Sequence, residues 1–261
     1  MTQFKEENNK KVFSKSAKFA LSPIMLIGST ISLFIVAQFF ASIFILLIFK
    51  VFGFESNGIN DRLKDSALAQ FMFVLTADIL IILGVWIFLR KRKHGLKEIG
   101  FTRPKLNDFW LALGGYIFYV ILFLLVTFIA KKIFPTINLD QEQQIGFKSG
   151  SGILNLVFAF ISLVVLPPIV EEILCRGYLY TSLRRSFSFI VSAIITSLVF
   201  AAAHLQFGSN APLLWIAAID TFILSMVLVF LREKTKHLAA PMLLHGTKNL
   251  VAYMLLFVLI K

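Results

Sequence analysis

The chain has 261 residues, of which 58% are hydrophobic and only 15% are charged, and its net charge at pH 7 is +12. A soluble domain of this length needs far more polar surface, so the composition excludes a soluble globular protein and predicts an all-α, polytopic transmembrane helix bundle. The positive charge lies mostly in segments between apolar stretches and no basic soluble domain is visible, so nucleic-acid binding is not expected.

Seven apolar stretches are candidates for membrane-spanning helices, because about 20 residues cross a hydrocarbon core roughly 30 Å thick. In chain order they lie at 24–49, 67–89, 109–131, 157–183, 188–206, 211–231 and 238–260. The apolar lead-in at 153–166 is too short to span alone, so a half-helix that ends at the double proline would raise the number of segments to eight. We predict one membrane domain over 1–261, with spans one to three in 1–134.

Lysine and arginine residues are concentrated in every second segment between these spans. The N-terminal tail, the loop at 90–108 and the segments after spans four and six are rich in basic residues, whereas the other loops carry fewer. The positive-inside rule therefore places the N-terminus in the cytoplasm and the C-terminus outside. We expect an uncleaved first span, no intrachain disulfide because Cys175 is the single cysteine, and a solvated His237 at a basic end.

The stretch VVLPPIVEEILCRGYLY, residues 164–180, places two adjacent glutamates three residues after a double proline. A carboxylate in hydrocarbon costs roughly 2.5–3.5 kcal/mol on insertion scales, and such residues usually face the bundle interior and mark function. A helix that restarts at Pro168 would hold Glu171 and Glu172 in its first turn, where free N–H groups and the positive helix end favour negative charge.

Helical spacing predicts different environments for the two glutamates. Glu172 and Arg176 are four residues apart and should form an ion pair on one helix face. Glu171 is displaced by about 100° around the helix and keeps a free carboxylate. The alternative is that all three side chains form a buried structural ion cluster.

Two further polar pairs share this spacing. FAAAH places Phe200 and His204 four apart in span five, and HGTKN places His245 and Asn249 four apart in span seven. A lone histidine in a span often only makes a hydrogen bond between helices. Two histidines with the Glu-Glu-Arg turn instead favour a site in which imidazoles bind a metal and a carboxylate activates water.

Three other charges lie within the spans, namely Asp78, Asp220 and Lys248. Structural polar contacts inside the bundle are the favoured interpretation of these residues. Lys248 is expected to pair with Asp220 or with Glu172.

The motifs Glu-Glu-x-x-x-Arg, Phe-x-x-x-His and His-x-x-x-Asn follow in this order within 164–250. Together they resemble the three signatures of the CAAX-processing and bacteriocin-processing intramembrane proteases, the CPBP or Abi family. The resemblance implies that 153–260 is the catalytic core of an intramembrane endopeptidase. The implied site residues are Glu171, Glu172, Arg176, His204, His245 and Asn249. Cys175 departs from the family, which usually has an aromatic residue at that position.

The same resemblance implies a role for each of these residues. Glu171 activates water, Glu172 and Arg176 orient the helix turn, and Asn249 stabilises the oxyanion. His204 and His245 either bind Zn²⁺, with Glu171 as a third ligand, or polarise the site without a metal. No organic cofactor is expected.

The substrate implied by the resemblance is a membrane-associated peptide or protein tail, met in the lipid bilayer. Eukaryotic members trim prenylated CAAX proteins, and bacterial members are linked to bacteriocin maturation and self-immunity. The composition suggests a bacterial cell membrane. Two alternatives are a catalytically inactive scaffold or regulator of the same fold and a proton-coupled transporter. Transport is disfavoured because no inverted repeat of broken spans is visible.

Overall fold

The computed structural model describes residues 22–52, 66–139, 141, 147, 152–205 and 213–259. Within these ranges all regular structure is helical, which confirms the predicted helix bundle. The helices, in chain order, are α1 (Pro23–Val51), α2 (Ala67–Lys91), α3 (Leu106–Ile133), α4 (Gly152–Leu183), α5 (Phe189–Ala203), α6 (Trp215–Thr235) and α7 (Ala239–Leu259). Six of them are long and apolar enough to cross a membrane, whereas α5 has 15 residues.

The helices differ in how much apolar surface they bury against one another. In α6 half of the most apolar window is buried, whereas in α3 the buried share is 11%. A helix that is apolar on every side and exposed on most of them is explained by contact with lipid. The bundle is therefore a multi-pass membrane fold, and α4 lies at its centre in contact with α1, α2, α5, α6 and α7.

The predicted break in the fourth span is wrong, because α4 runs continuously from Gly152 to Leu183. A π-helical turn at Ile161–Val165 precedes the α-helical segment Leu166–Glu172, which carries both prolines in its first turn. The Leu166 N–H donates to the carbonyl five residues earlier, and this wider turn admits the prolines without ending the helix. The two glutamates thus lie inside a continuous helix, and its backbone offers them no free N-terminus.

The basic segment between α2 and α3 is hydrogen-bonded to the end of α6 and to the start of α7. The Leu238 N–H donates to the Gly100 carbonyl at 2.8 Å. The Arg232 guanidinium donates to the Ile99 carbonyl at 3.1 Å. Gly100 has a φ of 90°, a backbone conformation that favours glycine, so the tight turn beneath α6 depends on this residue.

His237 lies at the same end of the bundle, between α6 and α7. It is buried, so the expectation that it is solvated is wrong. Its Nε2 lies 3.4 Å from the Asp108 carboxylate at the start of α3. Burial lowers the pKa of His237 below its ordinary value, and the raising effect of Asp108 does not offset this.

Candidate functional site

A buried ion network lies at the centre of the site. Glu172 Oε1 accepts hydrogen bonds from Arg176 Nη1 at 2.9 Å and from His245 Nδ1 at 3.0 Å. The predicted Glu172–Arg176 ion pair is therefore confirmed, and both side chains have 0% exposure. One carboxylate thus accepts hydrogen bonds from a guanidinium on its own helix and from an imidazole on α7. The second of these bonds links α4 to α7.

Phe200 completes this network. The Arg176 guanidinium carbon lies over the Phe200 ring, 4.3 Å from its centroid, which is a cation–π contact. The same ring contacts His204 at 4.7 Å and His245 at 5.9 Å between centroids. Phe200 was not among the site residues inferred from the sequence. Its position one helical turn before His204 is the signal that indicates a contact with the histidine ring.

The hydrogen bonds fix which imidazole nitrogens stay available. His204 Nδ1 lies 2.8 Å from the Phe200 carbonyl, which only accepts, so Nδ1 carries the proton. His245 Nδ1 faces the Glu172 carboxylate and donates for the same reason. In each neutral imidazole Nε2 is then the unprotonated nitrogen, able to accept a hydrogen bond or a proton.

Glu171 is more exposed than its neighbour Glu172 and lies further from His245. Its side chain is 30% exposed, and its Oε2 lies 3.9 Å from His245 Nε2. That oxygen is buried and has no hydrogen-bond partner in the part of the chain that the structure describes. A carboxylate with one unsatisfied oxygen beside an imidazole is suited to take a proton from a third group placed between them.

A cavity of about 200 Å³ joins these groups inside the bundle, between α4, α6, α7 and the end of α5. Its polar lining is formed by Glu171, His204, His245, Asn249, Asp220 and Lys248. The remaining lining is mostly apolar, from residues such as Leu224 and Leu256. The structure thus brings four of the six sequence-inferred residues to one cavity, while Glu172 and Arg176 lie behind its wall.

Asn249 reaches the cavity from α7 and also contacts α4. Its Nδ2 donates to the Leu163 carbonyl at 2.8 Å. Leu163 belongs to the π-helical turn before the prolines. The amide therefore bridges α7 and α4 in addition to lining the cavity.

Of the three other charged residues within the spans, Asp220 and Lys248 line the cavity and Asp78 does not. Lys248 Nζ lies 3.1 Å from Asp220 Oδ2, so the predicted pairing with Asp220 is confirmed. The Tyr119 hydroxyl donates to the other oxygen of Asp220. Asp78, on α2, does not line the cavity, and its buried Oδ2 has no hydrogen-bond partner within the described segments.

The predicted zinc site requires a particular arrangement of donor side chains. A catalytic zinc requires three protein ligands and one open position. Across the described segments, no three His, Cys, Asp or Glu side chains converge in a way that could hold a metal ion. The predicted ligands His204, His245 and Glu171 share the cavity, but as arranged they do not fit a three-ligand zinc site.

Comparison with known proteins confirms the family resemblance for the second part of the chain. A family model described as type II CAAX prenyl endopeptidase Rce1-like matches residues 153–251. The matched segment runs from the start of α4 into α7 and contains all six sequence-inferred site residues. The curated proteins and the solved structures give no match. Residues 153–251 are thus similar to a type II CAAX prenyl endopeptidase of the Rce1-like kind.

Proposed function

We propose that the protein is an intramembrane endopeptidase that cleaves a membrane-associated peptide or protein tail, with Glu171 as the base that activates water. One observation carries the proposal. A carboxylate and two imidazoles meet at one internal cavity, and each keeps a proton-accepting atom that no other group occupies. That is the minimum set for general acid–base hydrolysis of an amide.

The reaction begins at Glu171. Its carboxylate takes a proton from a water molecule held between Glu171 and His204 Nε2, and the hydroxide attacks the scissile carbonyl carbon. The water is oriented because His204 Nε2 accepts its second hydrogen. When the carbon–nitrogen bond breaks, the proton on Glu171 passes to the leaving amine. Glu171 thus acts first as base and then as acid, and no proton is lost or gained over the cycle.

His245 is assigned to the developing oxyanion. Glu172 accepts from His245 Nδ1, which turns the other ring nitrogen, Nε2, towards Glu171 and the cavity. Once Nε2 has taken up a proton in the course of the reaction, its N–H would donate to the oxyanion, and the apolar surroundings strengthen this interaction. Glu172 and Arg176 act through His245 and are positioning residues in this scheme.

The proposed reaction proceeds without a metal, because the donor set lacks a third convergent ligand in the described part of the chain. Elemental analysis of the purified protein and of its His204→Ala variant, together with cleavage assays after exhaustive chelation, tests this point. Full activity with no bound metal supports the metal-free reaction. Zinc near one equivalent in the wild type, lost in the variant, would establish the metal-dependent alternative instead.

The substrate that we propose is a small secreted peptide or a membrane-protein tail, of the kind processed in bacteriocin maturation or self-immunity. The support is the family resemblance together with a composition that suggests a low-GC bacterium. The test compares the membrane peptidomes of cells that express the wild type, Glu171→Gln and, as a matched control, Glu98→Gln in the loop before α3. Peptides that depend on Glu171 alone identify the substrate. Identical peptidomes would favour the inactive scaffold.

A further inference from the structure

The double proline leaves one carbonyl without an α-helical or a π-helical main-chain donor. In an α-helix the Leu163 carbonyl accepts from residue 167, and in a π-helix it accepts from residue 168. Both of these residues are prolines, which have no N–H. Leu163 is therefore left without a main-chain donor in either helical register, in a part of the bundle where backbone groups must find partners within the protein.

Asn249 supplies the missing donor. Its Nδ2 lies 2.8 Å from the Leu163 oxygen, in the range of a well-formed N–H···O bond. Helix α7 passes close to this point, because a methyl group on Gly246 would lie 3.9 Å from the Val164 carbonyl oxygen. The side-chain amide thus donates to a carbonyl that would accept a backbone N–H in a helix without prolines.

The hydrogen bond has a consequence for the reacting groups. Glu171 lies eight residues after Leu163, about two helical turns further along α4. His245 lies one turn before Asn249 on α7, and its Nδ1 bonds Glu172. Helices α4 and α7 are therefore tied together before the segment Leu166–Glu172 and again at its last residue, which holds Glu171 close to His245 Nε2.

We infer that Asn249 is a positioning residue that replaces the amide missing at Pro167 and holds Glu171 in register with His245. The inference rests on the proposed function for its activity readout, but the hydrogen bond and its effect on stability do not. It differs from the oxyanion role that the family resemblance implies for Asn249. An oxyanion donor would be needed whatever residue stands at position 167.

A double-mutant cycle separates the two roles. Purified wild type, Asn249→Ala, Pro167→Ala and the double variant are compared for kcat, KM and melting temperature. Alanine at 167 restores an N–H that reaches Leu163 in the α-register. Pro241→Ala, in the first turn of α7, is the matched control because it returns an amide elsewhere.

In the native background we expect Asn249→Ala to lower kcat by roughly tenfold or more, with KM within about twofold. In the Pro167→Ala background the same change should lower kcat by no more than about threefold, and the loss in melting temperature should shrink in parallel. The Pro241→Ala background should give the full loss. Equal losses of kcat and melting temperature in all three backgrounds would overturn the inference.

Two further outcomes keep the test decisive. If Asn249→Ala does not fold, recovery of folded protein in the double variant supports the inference, and failure to recover overturns it. If the wild type cleaves no peptide and Glu171→Gln changes no peptidome, the proposed function fails. The coupling between positions 167 and 249 in melting temperature then still decides the inference.

Discussion

Glu171 and Glu172 are neighbours in sequence, yet they belong to two different regions of the molecule. Glu172 lies in the buried network, where it has 0% exposure and accepts from both Arg176 and His245. Glu171 lies on the cavity wall, is 30% exposed and keeps one oxygen without a hydrogen-bond partner in the described structure. A single step along the helix thus separates a fully buried carboxylate held in an ion pair from a partly exposed carboxylate at the cavity.

The difference shows two ways in which a bundle holds a carboxylate away from bulk water. The ion pair with Arg176 and the hydrogen bond from His245 offset the cost of burying Glu172, and they commit its Oε1 to these two donors. A cavity leaves the carboxylate reactive but requires neighbours that fix its position. Here the paired region provides that rigidity, since Glu172 orients the imidazole that faces Glu171.

The largest effect is expected on the cavity wall. Glu171→Gln removes the base while keeping the shape, so peptide cleavage should fall by about 10²- to 10⁴-fold. The amount of folded protein and its melting temperature should remain near those of the wild type, because Glu171 contributes no complete ion pair. Cleavage of a substrate peptide by purified protein, with thermal melting in the same detergent, measures both. Retained activity would remove Glu171 from the role of base.

The next largest effect is expected in the buried network. Glu172→Ala leaves Arg176 as an uncompensated buried charge, at a cost of about 3–5 kcal/mol in the free energy of unfolding. The protein should therefore be less abundant and melt earlier.

The double variant Glu172→Leu with Arg176→Met is the matched control, because it removes both charges and keeps apolar volume. It should recover most of the lost stability. A Glu172→Ala protein as stable as the wild type would show that the network contributes little to folding.

The sequence was sufficient for the features that depend on composition and helical spacing. Within the described residues each of the seven predicted spans corresponds to an apolar helix, although α5 is shorter than a full span. The Glu172–Arg176 pair and the divergence of Glu171 follow from the 3.6-residue repeat. The pairing of Lys248 with one of two carboxylates also followed from its depth in a span, and the structure selects Asp220.

Other features depended on contacts between distant segments. The continuity of α4 through Pro167 and Pro168 requires a π-helical turn, which has no signal in residue type. The burial of His237 depends on how the loop between α2 and α3 folds back over α6, and the role of Phe200 depends on Arg176 reaching it from another helix. Neither of these contacts can be predicted from the spacing of residues within one helix.

A moderate effect is expected where aromatic packing supports the network. Phe200→Leu removes the cation–π contact over Arg176 and the ring contacts with both histidines, so the free energy of unfolding should fall by about 1–3 kcal/mol. Leu198→Ala, at an exposed position on the same helix, is the control and should change stability little. Chemical denaturation in detergent measures both. Equal effects of the two changes would show that the ring gives the network no specific support.

The smallest effect concerns a second histidine–carboxylate pair, His237 with Asp108, which lies at the end of the bundle rather than inside it. Burial lowers the pKa of His237, while Asp108 raises it and Lys105 and Arg232 lower it. Because the pKa is lower in the folded state than its ordinary value, folding loses stability as the pH falls below about 6.5. The drop in melting temperature between pH about 7.5 and pH about 5.5 should therefore be smaller for His237→Gln than for the wild type, because the variant takes up no proton at position 237. The contributions of the other histidines to the pH dependence are the same in both proteins and cancel in the comparison. If the wild type instead gained stability on acidification relative to His237→Gln, the raising effect of the Asp108 carboxylate on the pKa of His237 would outweigh the effect of burial.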